Sequence, residues 1–112
     1  DKDKGLTASM VNNYVKHGYL TKPDKKKYQR QQIARLIAIT TLKSVFSIQE
    51  IAQTLNTLQT QASSDQLYDA FVNYMNQGMD PANPIIQTSC QTVKLYHQTL
   101  ALIDHTQEEV IQ

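Results

Sequence analysis

Residues 47–58 read SIQEIAQTLNTL and carry the clearest helix signal in the chain. Ser47 and Glu50 have the Ser-x-x-Glu spacing of a capping box, in which each side chain accepts a hydrogen bond from the other residue's backbone N–H group. The apolar residues recur at helical spacing: Ile48, Ile51, Ala52, Leu55 and Leu58. This stretch therefore predicts an amphipathic helix that contributes one apolar face to a core.

Two helices are predicted on the N-terminal side of this stretch. The first has Thr7 as its N-cap, runs to about His17 and stops at Gly18. The second covers about residues 30–43, after a turn signal at Pro23. Its predicted buried residues are Ile33, Leu36, Ile37, Ile39 and Leu42. Short segments on either side of the turn can pair as a two-stranded wing.

Two more helices are predicted on the C-terminal side, beyond a polar linker at residues 59–63. One begins with a second capping box, Ser63 with Gln66, and ends near Gly78. The last begins at Pro84, which follows an Asn N-cap, and runs to about residue 105. Because all five predicted elements are helices and no long strand is indicated, the predicted fold class is all-α.

Length and composition favour one globular domain. The 112 residues are 40% hydrophobic and 19% charged, which is typical of a folded chain. No stretch resembles a membrane span. Cys90 is the single cysteine, which excludes an intramolecular disulfide and suits a cytoplasmic protein. The abrupt start at Asp1, without Met, leads us to expect a piece of a longer polypeptide.

The net charge of +1 conceals a strong asymmetry. Residues 1–46 hold ten basic and three acidic side chains, whereas residues 47–112 hold one basic and seven acidic side chains. A basic half joined to an acidic half is expected where a nucleic-acid contact surface is joined to another function. A chance imbalance on two solvated surfaces is an equally good interpretation of composition alone.

Two stretches resemble the DNA-binding domain of MerR proteins. In MerR proteins the second helix of the helix-turn-helix is followed by Gly-Leu-Leu, then by Pro and a basic wing. Residues 14–20, YVKHGYL, are similar to the end of that helix and the Gly-Leu-Leu, and Pro23 follows at the corresponding place. Residues 28–51 match the later pattern at Tyr28, at IARL from residue 33 and at FSIQEI from residue 46. The resemblance implies a partial winged helix-turn-helix over residues 1–58, whose first helix would lie upstream. Residues 59–112 would form a small helical bundle packed as one unit with it.

The whole chain also resembles a bacterial family catalogued as domain of unknown function 1836. Residues 10–16, residues 23–28 and residues 42–45 carry this likeness, which we expect to extend over essentially all 112 residues. The DNA-binding role suggested for that family rests on the same MerR likeness. The resemblance therefore implies a DNA-binding transcription regulator without adding independent support.

The MerR resemblance implies that the helix at residues 7–17 enters the major groove and that a lysine-rich wing at residues 22–28 lies on phosphates. Asn can pair with adenine through two hydrogen bonds, and Lys can neutralise phosphate charge. The candidate DNA contacts are Ser9, Asn12, Asn13, Lys16, Lys22, Lys25, Lys26, Lys27, Tyr28 and Arg30. The alternative interpretation is a solvated helix face followed by a lysine-rich turn.

Departures from the MerR pattern keep a second hypothesis open. Asn12 stands where MerR helices carry Arg, the wing has Lys instead of Arg, and the turn before Phe46 is one residue shorter. The C-terminal half shows two shorter helices in place of one long dimerisation helix. The same scaffold could therefore be a protein–protein interaction module without DNA binding. With DNA binding, the broad apolar surface of the helix at residues 84–105 can form a homodimer. Without it, the acidic half and this helix would be the surface that binds a protein.

No catalytic or metal-binding pattern is present, so we expect a non-enzymatic protein without a cofactor. His97 and His105 are eight residues apart and make no ligand spacing with Cys90. Aromatic residues recur at helical spacing in the acidic half: Tyr68, Phe71 and Tyr74, with Tyr96 on the last helix. Such a stripe is more often core than an effector pocket, which some MerR relatives have in their C-terminal part.

Overall fold

The computed structural model describes residues 7–25 and 27–111, with side chains described up to residue 108. The five helices are α1 (Ala8–Lys16), α2 (Arg30–Leu42), α3 (Ile48–Gln59), α4 (Ser64–Gln77) and α5 (Pro84–Ile111). Since the described residues form five helices and no strand, the predicted all-α class is confirmed.

Both predicted capping boxes are formed. At the start of α3, the Glu50 N–H donates to Ser47 Oγ over 3.1 Å and the Ser47 N–H donates to Glu50 Oε1 over 2.8 Å. Ser63 and Gln66 make the equivalent pair at α4, at 3.2 and 3.0 Å. At α1, the predicted N-cap Thr7 accepts from the N–H of Met10 over 3.1 Å. These side chains satisfy backbone donors that have no partner within the helix.

The ends of the helices follow the predicted signals, with one exception. Gly78 ends α4 in the left-handed conformation, at φ +69°, where a side chain would be strained. The last helix was predicted to end near His105, yet α5 continues to Ile111 and is 28 residues long. Its final turns contain no Gly or Pro that would stop a helix. The two helices predicted beyond residue 63 are therefore both present, as the shorter α4 and the long α5.

One hydrophobic core joins the basic and acidic parts of the chain. Helix α2 packs against α3, α4 and α5, and α4 also packs against α3 and α5. Segments from both parts supply the buried side chains, which are Tyr14, Leu20, Leu36, Ile39, Leu42, Ile51, Leu58, Phe71, Ile86, Cys90 and Val93. Residues on both sides of position 58 thus share a single core.

The buried face of α2 differs from the predicted one. Ile33 and Ile37 were predicted to be buried but are 48% and 37% exposed. Leu36, Ile39 and Leu42 are buried as predicted, and the row that they form begins with the polar Gln32, which was not predicted to be buried. Because successive residues turn by about 100° around a helix, this row leaves the two isoleucines on the other side.

Helix α5 has a buried half and an exposed half. Ile86, Cys90 and Val93 lie in the core, whereas every described side chain from Leu95 to Glu108 is exposed. The exposed half carries several large apolar residues. None of the described helices has the length and apolar content needed to cross a bilayer.

Candidate nucleic-acid interface

Helix α1 presents a polar face to solvent. Tyr14 is buried, and Val11 and Val15 are half-buried against the core. The opposite side carries the four predicted contact residues of this helix, all exposed: Ser9, Asn12, Asn13 and Lys16. Burial raises the pKa of the Tyr14 hydroxyl above its ordinary value. The core contacts therefore orient α1 so that its Asn and Lys side chains are accessible.

The segment predicted as a two-stranded wing is a tight hairpin, which we call the lysine hairpin (residues 22–28). Asp24 and Lys27 form one antiparallel bridge: the Asp24 N–H donates to the Lys27 carbonyl over 3.0 Å, and the Lys27 N–H donates to the Asp24 carbonyl over 2.8 Å. Lys25 turns the chain with φ +50°. Longer strands are not found among the described residues, because a Pro and a tight turn leave room for a single bridge.

Three predicted phosphate contacts of the lysine hairpin are exposed: Lys22, Lys25 and Lys27. The predicted contact Lys26 lies outside the described residues. Tyr28 is half-buried and packs against the core, so its ring helps to hold the hairpin in place. The described lysines follow α1 closely in sequence and are all free of ion pairs with described carboxylates.

Gln32 anchors the segment between α1 and the lysine hairpin. Its Nε2 donates to the carbonyl of Thr21 over 3.0 Å, to the Thr21 hydroxyl over 2.7 Å and to the carbonyl of Lys22 over 2.8 Å. Its Oε1 accepts from the N–H of Gln29 over 2.6 Å. Gln32 was not among the residues predicted from the sequence, although its position in register with the buried residues of α2 was a usable signal.

Arg35 anchors the same segment one turn further along α2. Its Nε donates to the carbonyl of Tyr19 over 2.8 Å, and Nη2 donates to Asn56 Oδ1 on α3 over 3.0 Å. Partial burial lowers the pKa of this guanidinium below its ordinary value. Gln32 and Arg35 together fix residues 19–22 on α2, so α1 and the hairpin are held in one orientation.

Arg30, the last predicted DNA contact, faces the acidic part of the chain. Its Nε lies 3.9 Å from Asp65 Oδ1 at the start of α4, and both side chains are largely exposed. An exposed pair at this distance contributes about 0–1 kcal/mol, so Arg30 remains available to a phosphate.

The other residues considered from the sequence are the possible metal ligands and the aromatic stripe. Groups of three possible metal ligands are absent from the described residues. Of the aromatic stripe, Phe71 is buried and Tyr68 and Tyr74 are half-buried, whereas Tyr96 is 40% exposed. Lys94 is placed over the Tyr74 ring, 4.7 Å from its centroid, and donates to the Tyr74 carbonyl over 3.1 Å. The stripe is therefore mainly structural, as the more frequent interpretation predicted.

Comparison with known proteins found no match among curated proteins and none among solved structures. A family model described as "Domain of unknown function (DUF1836)" matches residues 1–71. The likeness was expected over the whole chain, and the match covers the part that contains α1, the lysine hairpin, α2, α3 and the first half of α4. Since this is more than half of the sequence, the chain belongs to the family described as domain of unknown function DUF1836.

Proposed function

We propose that this protein is a non-enzymatic, cytoplasmic DNA-binding transcription regulator of the MerR type. In this proposal α1 enters the major groove and the lysine hairpin lies on the phosphate backbone. The observation that carries it is the joint anchoring of these two elements. Gln32 and Arg35 hold the segment between them on α2 through four side-chain hydrogen bonds.

The outer face of α1 has the chemistry needed to read bases. Asn12 and Asn13 are exposed. An Asn side chain can form two hydrogen bonds with adenine, donating to N7 and accepting from the N6 amino group. This pairing requires that the side chain is free to turn toward the groove. Neither amide is engaged by another described side chain, so both are free to turn. Lys16, at the end of the same face, can reach a phosphate or a guanine edge.

The lysine hairpin has the chemistry needed to hold DNA without reading it. Lys22, Lys25 and Lys27 are point charges on flexible stems, which suit phosphates better than base edges. Affinity would come mainly from this hairpin, and sequence preference would come from α1.

A homodimer would place two such units on one DNA site. The exposed half of α5 carries Leu95 and Leu102 seven residues apart, with Tyr96 and Ile103 beside them at the same spacing. A seven-residue repeat of this kind forms a seam along which a second helix can pack. We therefore include a second copy of this chain, joined through α5, as part of the proposal.

A second candidate function is a protein–protein interaction module on the same scaffold. The exposed apolar side chains of α5, which include Leu100 and Leu102, favour it because they would serve a protein partner equally well. In that case the lysine hairpin would be only a solvated turn.

Fluorescence anisotropy of labelled random duplex DNA over a salt series separates the two functions. The DNA-binding function predicts a Kd of about 1–100 μM near physiological salt, with tighter binding at low salt and steep weakening as the salt concentration rises. The double variant Lys25→Gln/Lys27→Gln should flatten the plot of log K against log salt by about two slope units, since each phosphate contact contributes about 0.9.

A charge-matched control keeps this test specific. The double variant Asn73→Asp/Gln91→Glu lowers the net charge by the same amount at exposed positions of α4 and α5. It should bind DNA almost as the unchanged protein does. Absence of binding at low salt, or equal losses in both double variants, would exclude the lysine hairpin as a DNA contact and favour the interaction module.

A further inference from the structure

A groove of about 250 Å³ opens between the first half of α5 and the adjoining parts of α2 and α3, and we call it the α3–α5 groove. The wall on the α5 side consists mainly of small side chains, whereas the opposite wall is mostly apolar. The α5 wall contains Ile85, Thr88, Ser89 and Thr92, and the opposite wall contains Leu42, Phe46, Ile51 and Thr54.

The hydroxyl groups of the α5 wall already have partners within their own helix. Thr88 Oγ1 donates to the Pro84 carbonyl over 2.6 Å, and Thr92 Oγ1 donates to the Thr88 carbonyl over 2.7 Å. Ser89 Oγ donates to the Ile86 carbonyl over 3.2 Å. A buried hydroxyl is costly mainly where its hydrogen bond is missing. The groove can therefore take apolar side chains without leaving these donors unsatisfied.

The pattern of this wall recurs further along α5. Fourteen residues after the four wall residues stand Thr99, Leu102, Ile103 and Thr106, which line a shallow depression on the exposed half of the helix. Fourteen residues are two heptads, and a straight helix drifts by only about 20° per heptad. Both sets therefore lie on one face of α5, which we call the α5 strip (residues 85–106).

The far end of the α5 strip is not covered by any element that the structure describes. Every described side chain from Leu95 to Glu108 is exposed, and the exposed fractions of Leu102 and Ile103 are 66% and 47%. Most of the stability of a helix in a protein comes from packing of its apolar face. This half of α5 is therefore stabilised when another chain covers it.

We propose that a second copy of this chain covers the α5 strip in an antiparallel arrangement, in which Leu102 and Ile103 of each copy enter the α3–α5 groove of the other. This arrangement rests on the homodimer included in the proposed function, and it adds the orientation and the contact site. A two-fold axis between residues 95 and 96 makes both contacts at once. It places Leu102 of one copy opposite Ser89 of the other, and Ile103 opposite Thr88.

The two ends of the α5 strip complement each other in this arrangement. The groove has an apolar wall beside small side chains, whereas the exposed end has large apolar side chains and no wall. A parallel arrangement would place each residue beside the same residue of the other copy. Thr88 and Thr92 would then meet their own counterparts, and no large apolar side chain of the exposed end would reach the groove. The antiparallel dimer therefore buries more apolar surface, which is stabilising by about 25 cal/mol per Å².

Spin labels at two positions of α5 distinguish the two orientations. His97→Cys and Asp104→Cys place a nitroxide at exposed residues one heptad apart, so both labels point in nearly the same direction. Across the antiparallel axis, the paired labels are separated along the helix by about 5 Å at position 97 and about 26 Å at position 104. Double electron–electron resonance should therefore give a distance about 10 Å longer at position 104, whereas a parallel dimer gives nearly equal distances. Cys90 is fully buried, and the unchanged protein taken through the same labelling is the control for that thiol.

A substitution in the groove tests the contact without changing α5. Thr54→Glu places a carboxylate in the groove, where Leu102 and Ile103 of the other copy would remove its hydration. The dissociation constant of the dimer, measured by sedimentation velocity, should rise about tenfold or more. Gln53→Glu adds the same charge at an exposed position of α3 that does not line the groove, and it should leave the dissociation constant unchanged.

Three results would overturn the proposal. The first is an equal label distance at positions 97 and 104. The second is an equal dissociation constant for the Thr54→Glu and Gln53→Glu variants. The third is a monomer at every concentration, which would leave the groove to a different protein. Because the label distances do not depend on Thr54→Glu, the orientation is tested even if that variant fails to fold.

DNA binding is measured independently by anisotropy, so the two proposals can fail separately. Retained DNA binding with any of these three results would leave the DNA contacts of α1 and the lysine hairpin standing while the groove contact fails. Antiparallel label distances without DNA binding would support the groove contact and remove the DNA-binding function.

Discussion

The side-chain amide of Gln32 is fixed on Thr21, with Nε2 3.0 Å from the Thr21 carbonyl oxygen and 2.7 Å from the Thr21 hydroxyl. The first turn of α2 thereby holds the chain just before the lysine hairpin. The same amide also reaches Lys22 and Gln29, so both of its polar atoms are engaged. Since the described buried side chains leave no polar atom without a partner, this contact is a satisfied polar interaction at the edge of the core.

Gln32→Glu should destabilise the protein through this contact. The substitution replaces the donor Nε2 by a carboxylate oxygen that faces the carbonyl oxygens of Thr21 and Lys22. We expect the free energy of unfolding to fall by about 1–3 kcal/mol at pH 7, measured by urea denaturation followed by circular dichroism.

The pH dependence of that loss is a second readout. The oxygen acceptors around Gln32 would raise the pKa of the new Glu in the folded state, so protonation restores a donor and part of the stability returns toward pH 4. Gln53→Glu, at an exposed position of α3, is the control. Equal effects of the two substitutions at pH 7 would show that the Gln32 contacts contribute nothing.

The helix starts could be predicted because their signals are local. Ser47 with Glu50 and Ser63 with Gln66 act over three residues, so the sequence contains the whole interaction. The exposed face of α1 was predicted for a similar reason, since helical spacing alone separates Asn12 from Tyr14.

The anchoring of the candidate interface could not be predicted, because it depends on contacts between distant residues. Arg35 meets Tyr19 and Asn56, which are 16 and 21 residues away along the chain. The same long-range packing decides which side of α2 is buried. Helical spacing in the sequence predicted that Ile33 is buried. In the structure Ile33 is exposed, and its neighbour Gln32 faces inward and contacts Thr21.

Asn12→Ala and Asn13→Ala should reduce discrimination between DNA sequences more than overall affinity. After selection of a preferred duplex from a random pool, each substitution should cost about 1–3 kcal/mol on that duplex and little on random DNA. The salt slope should not change, because neither Asn is charged. Asn76→Ala, exposed on α4, is the control, and anisotropy competition is the measurement. Equal losses on selected and random duplexes would contradict base reading by α1.

Leu102→Glu should prevent dimer formation through α5. Leu102 is 66% exposed in the single chain and lies in the seven-residue repeat with Leu95. A carboxylate in the seam would lose its hydration without gaining a partner. The dissociation constant of the dimer should therefore rise at least tenfold, which corresponds to about 1.4 kcal/mol. Sedimentation velocity over a concentration series measures this. Ala101→Glu adds the same charge at the adjacent exposed residue and should leave the dimer intact. If the unchanged protein sediments as a monomer at every concentration, the proposed dimer is contradicted.

Cys90 should make the protein less stable in alkali. It is fully buried, and burial raises the pKa of its thiol to about 11, although the hydrogen bond with Ser89 and the charge of Lys94 act in the opposite direction. In the unfolded chain the thiol titrates near its ordinary pKa of about 8.5. The folded state therefore favours the neutral thiol. The contribution of the neutral thiol to the free energy of unfolding is complete below about pH 8.5. It is lost as the pH rises toward 11, and the loss amounts to up to about 3 kcal/mol.

Urea denaturation between pH 7 and pH 10 tests this dependence on Cys90. The variant Cys90→Ala should lose some stability at pH 7, because a buried sulfur is removed, but it should show a flatter pH dependence above about pH 8.5. Tyr14 has a pKa that burial raises in the same direction, so both proteins should lose further stability above its ordinary pKa of about 10. If the two proteins lose stability in parallel between pH 8.5 and pH 10, the Cys90 thiol is not the group responsible, because only the unchanged protein has a thiol to ionise.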